Sequence, residues 1–379
     1  MKIGLIGRTN VGKSTLFKAL TLEDIAIEDR PFTTIEPNKG IGYVKMVCPE
    51  KDMNTKCQPR NAPCVRGYRY VPVDLIDVAG LISGAHEGKG LGNKFLSDAM
   101  EADALIEVVD ISGRTDGSGA QAVDYDPAND IRMVKSEVTQ WIASLLTKRR
   151  KRSEESLVEF VHRPLSGLGI SYEIVKEALN ALNIETLDDD NVIPLSERIF
   201  NGSKPIIIAC NKMDVTSNLD EKINRLKEEF DYTFVPCSAG AELTLKEAEK
   251  TGFIEYDEDG FKVRKQLNHD QETALSTLKK VLDRYGGTGV QKVLNTIVFE
   301  VTKSKVVFPV EDEKRLSDAR GNVLPDAYIV KESATPLDVA RKIHSEVADK
   351  YKGAIDCRTG LKVKNDEPVK NGQIIKILV

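Results

Sequence analysis

Residues 7 to 14 read Gly-Arg-Thr-Asn-Val-Gly-Lys-Ser, a G-x-x-x-x-G-K-[ST] pattern lying directly after the apolar run Ile3–Ile6 and directly before a helical pattern. A chain that opens this way is constrained to a strand, a tight turn and a helix in immediate succession, the start of an α/β domain. The pattern suits phosphate. Gly7 and Gly12 let backbone N–H groups converge on anionic oxygens, and the following helix turns its positive end toward them. Lys13 adds a point charge between β- and γ-phosphates, and the Ser14 hydroxyl can ligate Mg²⁺. Gly7, Arg8, Thr9, Asn10, Val11, Gly12, Lys13, Ser14 and Thr15 are therefore candidate nucleotide-binding residues, with Lys13 also a catalytic candidate.

The rest of the first 115 residues alternates apolar runs with helical patterns, as a parallel sheet with crossover helices does. Strands are expected at Ile3–Ile6, Gly42–Val47, Val71–Asp77 and Ala104–Asp110, then at Pro205–Cys210 and Thr233–Cys237. The interval before Pro205 is too long for one crossover. It holds a turn-rich linker at Gly113–Gly119 and helical stretches near Ala128–Arg152 and Ser171–Leu182, which predict an inserted helical lobe over 120–203. Helices are also expected near Leu219–Phe230 and Gln271–Tyr285. The expected organisation is an α/β domain over 1–285, a connecting segment over 286–302 beginning at the glycine-rich Gly286–Gly289, and a small α+β unit of β-grasp type over 303–379. That last unit should carry strands near Val306–Val310, Ala327–Lys331 and Ile374–Leu378 and a helix at Thr335–Ala348, capped by Thr335 with Pro336 in its first turn. A chain of 379 residues suits several such modules.

Two further motifs end expected strands, at the sheet edge from which the phosphate loop emerges. Asp77-Val78-Ala79-Gly80 offers a carboxylate for Mg²⁺ and the Gly80 amide for a γ-phosphate. Asn211-Lys212-Met213-Asp214 addresses the base: Asp214 can accept two hydrogen bonds from the N1–H and exocyclic amine of guanine, donors that adenine lacks. GTP is thus expected over ATP, with Ser238 and Ala239 after the next strand adding an amide for guanine O6. Between the first helix and second strand, Pro31–Asn38 contains Thr34, the candidate for reaching both Mg²⁺ and the γ-phosphate, with Thr33 as its fallback. The metal set is then Ser14, Thr34 and Asp77, and the catalytic set Lys13, Thr34 and Gly80.

The segments PFTTIEPN, DVAGLISGAHEGKGLGNKFL and NKMD, together with LPDAYIV, AIDCRTG and NGQIIKIL, resemble the Obg-like GTPases, in the YchF-related branch that carries a C-terminal TGS domain. The resemblance implies hydrolysis of GTP to GDP and phosphate, a role on or near the ribosome, and a TGS module of β-grasp fold with RNA or regulator contacts. YchF proteins themselves have a degraded base motif associated with ATP use. This chain keeps the full NKMD, so the ATP preference is not carried over.

Leu81 follows Gly80, where Ras-like enzymes place a glutamine that orients the attacking water. Leucine cannot do so, and intrinsic hydrolysis is expected to be slow. Asn10 matches the position at which potassium-stimulated GTPases ligate K⁺; the alternative is a plain turn residue. Gly84, Gly88, Gly90 and Gly92 suggest a second switch, with His86 inside it either acting on water or simply exposed. Cys48, Cys57 and Cys64 are separated by nine and seven residues, which is not a C-x₂₋₄-C zinc pattern, and they read as ordinary loop cysteines.

Acidic side chains outnumber basic ones by 59 to 54, so bulk attraction to nucleic acid is excluded and no DNA partner is expected. Any RNA or ribosome contact would need a local patch in the lobe, such as the five cations Lys148–Arg152, or in the TGS-like unit. The absence of an apolar stretch of about 20 residues, with MKIGLIG entering the first motif directly, predicts a cytoplasmic protein without a membrane partner. The leading expectation is a GTP-hydrolysing switch. The alternative, from another class, is a ribosome- or RNA-binding assembly factor in which nucleotide is mainly structural and hydrolysis vestigial.

Overall fold

The computed structural model describes residues 1–21, 39–78, 84, 92–147, 155–257 and 260–379. In chain order its strands are β1 (Lys2–Gly7), β2 (Lys39–Val47), β3 (Cys64–Val65), β4 (Tyr68–Asp77), β5 (Ala104–Asp110), β6 (Ile206–Asn211), β7 (Thr233–Pro236), β8 (Ile254–Asp257), β9 (Gly260–Val263), β10 (Lys305–Val310), β11 (Tyr328–Val330), β12 (Gly353–Asp356), β13 (Leu361–Val363) and β14 (Gln373–Leu378). The helices are α1 (Lys13–Thr21), α2 (Gly92–Glu101), α3 (Ala128–Thr147), α4 (Leu157–Leu165), α5 (Tyr172–Ala181), α6 (Val192–Ser203), α7 (Leu219–Glu229), α8 (Ala239–Lys250), α9 (His269–Tyr285), α10 (Val290–Asn295), α11 (Pro336–Ile343) and α12 (Ser345–Asp349). They form two compact units, one made of residue 1 with 20–74 and 294–379, the other of 2–19 and 75–293.

The second unit carries the parallel strands β1, β5, β6 and β7, paired in that order. β5 and β6 are buried along their whole length, which explains their continuous apolar sequence: a parallel strand covered on both faces has no solvent side to alternate with. Between β5 and β6 the described residues form four α-helices, α3 to α6. Val134, Trp141 and Leu146 of α3 join Leu165, Val175, Leu195 and Phe200 in a core continuous with that of the sheet. A Ser156–Glu159 capping box starts α4, and Ser171 caps α5. Sequence periodicity missed α4, which has Pro164 inside it, and α6, which has Pro194 in its first turn, as well as the β8–β9 hairpin.

The first unit contains β2, β3 and the Tyr68–Asp74 part of β4, and a five-stranded sheet in the order β11-β10-β14-β12-β13. β10 and β14 run parallel at its centre and the outer pairings are antiparallel, with Val339 of α11 in the same apolar core as Val307, Ala354 and Ile375. The single helix expected at Thr335–Ala348 is divided. His344 is extended (φ −167°, ψ 148°) and accepts a hydrogen bond from the Glu346 N–H, ending α11 and capping α12. The Thr335–Asp338 capping box and Pro336 at the first turn mark the start of α11. Among the described residues no helix is long and apolar enough to cross a membrane.

Candidate functional site

The phosphate-loop motif lies between β1 and α1, and its glycines are required by contact as well as by φ. Gly7 (φ 145°) would place a Cβ 2.6 Å from the Val108 carbonyl, and Gly12 (φ 94°) one 2.2 Å from Asn211 Nδ2. α1 starts at once, with Leu16 N–H donating to the Gly12 carbonyl at 2.9 Å, so the positive end of the helix faces the loop. The Lys13 ammonium is ion-paired with Asp77, whose other carboxylate oxygen accepts from the Ser14 hydroxyl at 2.9 Å. Lys13, Ser14 and Asp77, 63 residues apart in sequence at the nearest, are thus one cluster. A cation, a hydroxyl and a carboxylate in mutual contact fit a Mg²⁺–phosphate group: the oxygens of Ser14 and Asp77 are hard ligands, and Lys13 would take an anionic oxygen.

The base motif is joined to the same loop. Asn211 is buried; its Nδ2 donates to the Val11 carbonyl at 2.9 Å and its Oδ1 accepts from the Ala239 N–H at 3.0 Å. Lys212, in the left-handed region at φ 66°, sends its ammonium to the Asn10 carbonyl (3.1 Å) and to Asp110 Oδ2 (2.8 Å). Burial acts to raise the Asp110 carboxyl, but hydrogen bonds from Lys212, Ser112 and Thr115 outweigh it, and the group is held below the usual carboxylate range. Met213 N–H donates to the Cys237 carbonyl at 3.1 Å, so the loops after β6 and β7 are stitched together, and Asp214 stands exposed on the turn that follows.

Four expected ligands make other contacts. Ala239 N–H is committed to Asn211 rather than held open for a purine O6. Ser238 Oγ accepts from Ala241 N–H and caps α8. Arg8 points to Asp130 at the start of α3, with Nε 3.2 Å from its carboxylate, so only its backbone belongs to the phosphate loop. Asn10 Nδ2 donates to the Gly119 carbonyl at 2.8 Å, which makes this side chain a tie between the phosphate loop and the Gly113–Gly119 turns. Thr9 is exposed and Thr15 half-buried. Thr33, Thr34, Gly80, Leu81, His86, Gly88, Gly90 and Lys148–Arg152 lie outside the described residues. Gly84 N–H donates to Glu137 of α3 at 2.6 Å, and Gly92 begins α2.

Sequence reasoning missed the support beneath the base motif. The Gly286–Gly289 segment, read as a break, brings the Thr288 carbonyl to Ser238 N–H (2.8 Å), and the Thr288 hydroxyl to Glu242. A Cβ on Gly289 (φ 76°) would lie 2.1 Å from the Pro236 carbonyl. The glycine run was the available signal.

A phosphate loop, an Asp–Ser pair beside its lysine and a base motif gathered at the ends of strands define a P-loop GTPase. Family models agree on the parts: one described as a 50S ribosome-binding GTPase matches residues 2–152, one described as the Obg-like GTPase YGR210-like, G4 motif-containing domain matches 209–312, and a TGS domain matches 321–379. The chain belongs to the Obg-like, YchF-related family of GTP-binding proteins with a C-terminal TGS domain. A protein of Methanocaldococcus jannaschii described as an uncharacterized GTP-binding protein is 44% identical over 387 residues, spanning 99% of this chain and 98% of its own. The ribosome-binding ATPase YchF of Haemophilus ducreyi is 32% identical over 272 residues, 68% of this chain and 70% of its own. The crystal structure of a GTP binding protein from Pyrococcus horikoshii covers 100% of this chain and 99% of its own length, at a TM-score of 0.79 and 34% identity.

Proposed function

We propose that this GTP-binding protein hydrolyses GTP to GDP and phosphate with Mg²⁺, slowly on its own, and acts as a nucleotide-dependent switch in the cytoplasm, on or near the ribosome. The observation that carries this reading is the direct tie between base motif and phosphate loop: Asn211 on Val11 and Lys212 on Asn10. That tie sets Asp214 at a fixed offset from Lys13, so one ligand can engage both through its purine edge and its phosphates. Ser14 and Asp77, with Thr34 supplied by the segment before β2, would hold Mg²⁺, which supplies charge neutralisation on the β- and γ-oxygens when bound. Lys13 would then leave Asp77 for a phosphate oxygen, and Gly80 would offer its amide to the γ-phosphate. Asn10 bonds Gly119 through its amide nitrogen, a contact that does not engage the side-chain oxygen by which it would ligate K⁺. A ribosomal partner is supported by the printed name of the Haemophilus ducreyi relative.

Two measurements test this reading. Competition binding should place GTP and GDP well ahead of ATP, and single-turnover assays should show Mg²⁺-dependent release of phosphate. ATP outcompeting GTP sinks the assignment of Asp214. Ribosome affinity that changes by less than about twofold between GDP and a non-hydrolysable GTP analogue, a coupling under ~0.4 kcal/mol, sinks the switch and favours the assembly-factor reading.

A further inference from the structure

Cys48, Glu50, Cys57 and Cys64 lie along the connection from β2 to β4, between the Pro31–Asn38 segment and Asp77, at intervals that match no short zinc signature. The fold nevertheless brings them to one point. Their three sulfurs and a carboxylate oxygen all lie within 4.8 Å of one another, with Cys64 Sγ 3.2 Å from Glu50 Oε1. Cys48 is fully buried and Cys57 nearly so. The ligand missing from the sequence reading is Glu50: Pro49 starts a short 3₁₀ turn directly after Cys48, and the turn carries the Glu50 carboxylate back to accept from Cys57 N–H at 3.0 Å. No disulfide joins the six cysteines.

Four ligands around one tetrahedral zinc, at roughly 2.3 Å for sulfur and 2.0–2.2 Å for oxygen, would stand about 3.5–3.8 Å apart, so the cluster needs only a contraction at its widest and a slight opening between Cys64 and Glu50. Charge gives a second, independent reason. Arg69 of β4, directly across from Cys64 in the β3–β4 pair, is completely buried. Its guanidinium donates to the Leu324 carbonyl from both terminal nitrogens at 2.9 Å and lies over the Phe308 ring, while its Nε has no partner. Among the described residues no carboxylate forms an ion pair with it. A buried cation of this kind requires negative charge close by, and three thiolates with a carboxylate around a divalent ion are net negative.

We propose that Cys48, Glu50, Cys57 and Cys64 hold one structural zinc ion. Sulfur-rich donors select zinc over the hard cations of a nucleotide site, and a set of four protein ligands leaves no open position for chemistry. A divalent ion would hold all three thiols as thiolates.

The ion would pin a loop that has its own work to do. Between the ligands, Gln58 N–H donates to the Val323 carbonyl (2.8 Å), Arg60 N–H to the Pro325 carbonyl (2.7 Å), and Asn61 exchanges two hydrogen bonds with Ala327 (3.1 and 2.9 Å), while the Arg60 side chain pairs with Asp326. Residues 58–61 thus clamp the strand-like entry to β11, within the TGS module. A loop without its ion would hold that module less firmly.

Elemental analysis of the purified full chain should find one zinc per molecule, lost in Cys57→Ser and Cys64→Ser and kept in Cys357→Ser, a cysteine outside the cluster. The unaltered protein supplies two further readouts that do not depend on how the cluster variants fold. Mercurial modification of its thiols should release zinc in step with the thiols blocked. Cobalt-loaded protein should show thiolate-to-metal charge transfer in the near ultraviolet and the intense visible bands of tetrahedral cobalt. Chelation should speed proteolytic cutting within 48–64. Zinc that stays substoichiometric after equilibration with excess metal and desalting overturns the site, as does zinc retained in both cluster variants, a weak octahedral cobalt spectrum, or a disulfide among these cysteines. Proteolysis unchanged by chelation overturns the clamp.

Discussion

Replacing Asn211 by alanine tests whether the base motif and the phosphate loop form one mechanical unit. The side chain is 3% exposed and uses both ends: Nδ2 on the Val11 carbonyl at 2.9 Å and Oδ1 on the Ala239 N–H at 3.0 Å. Alanine strands both groups in the interior. An unsatisfied buried polar group costs about 1–3 kcal/mol, and an orphaned N–H is less readily accommodated than a carbonyl, so a loss of roughly 2–4 kcal/mol is expected. Asn211→Asp should cost at least as much, since the replacement oxygen would face the Val11 carbonyl acceptor to acceptor. Both variants should melt several degrees lower in thermal denaturation, and guanine-nucleotide affinity, read by titration with fluorescent GDP, should fall at least tenfold, about 1.4 kcal/mol. Asp214→Asn is the contrast, because Asp214 is exposed and its replacement should change stability by less than ~0.5 kcal/mol. The reasoning fails if Asn211→Ala melts within error of the unaltered protein and binds GDP within twofold.

Asp214→Asn should itself lower guanine-nucleotide affinity by a few kcal/mol, on the order of a hundredfold or more, because an amide cannot accept both guanine donors; xanthine nucleotide, which offers one donor and one acceptor there, should gain in competition assays. Gly289→Ala should destabilise by about 2–4 kcal/mol in denaturant titration, since its φ is 76° and the new Cβ would meet the Pro236 carbonyl at 2.1 Å. Glu107 provides a pH test. Burial in β5 first, and then the neighbouring Asp130, push its carboxyl well above the usual range, against a smaller opposing pull from Arg8. A group protonated when folded and ionised when unfolded contributes stability below the ordinary glutamate value of about 4.3 and loses it as pH rises through the folded value. Glu107→Gln should therefore flatten the fall in stability toward neutral pH. Parallel pH profiles for the two proteins would refute this placement of the charge.

The phosphate loop was legible because its chemistry is local. Gly7 to Ser14 are consecutive, and a strand, a turn and a helix N-terminus create the anion site before any distant contact forms. The buried strands β5 and β6 and the cap at Thr335 were readable for the same reason, since burial on both faces and a side-chain bond to a near neighbour each leave a contiguous trace. Motifs such as Asp77 and Asn211 were legible from their places at the ends of expected strands, on the edge from which the phosphate loop emerges.

What the chain pattern left open was decided by pairings between residues 28 or more positions apart, or across a loop with no periodicity. Arg8 belongs to Asp130, Ala239 to Asn211 and Thr288 to Ser238, because the parallel pairing of β1, β5, β6 and β7 brings their ends side by side. The three cysteines follow no signature in sequence, yet the Pro49 turn and the β3–β4 hairpin bring them together around Glu50. Local chemistry needs only neighbouring residues and a backbone conformation, whereas a convergent cluster exists only after loop closure has been offset by burial, and no short window of sequence records that closure.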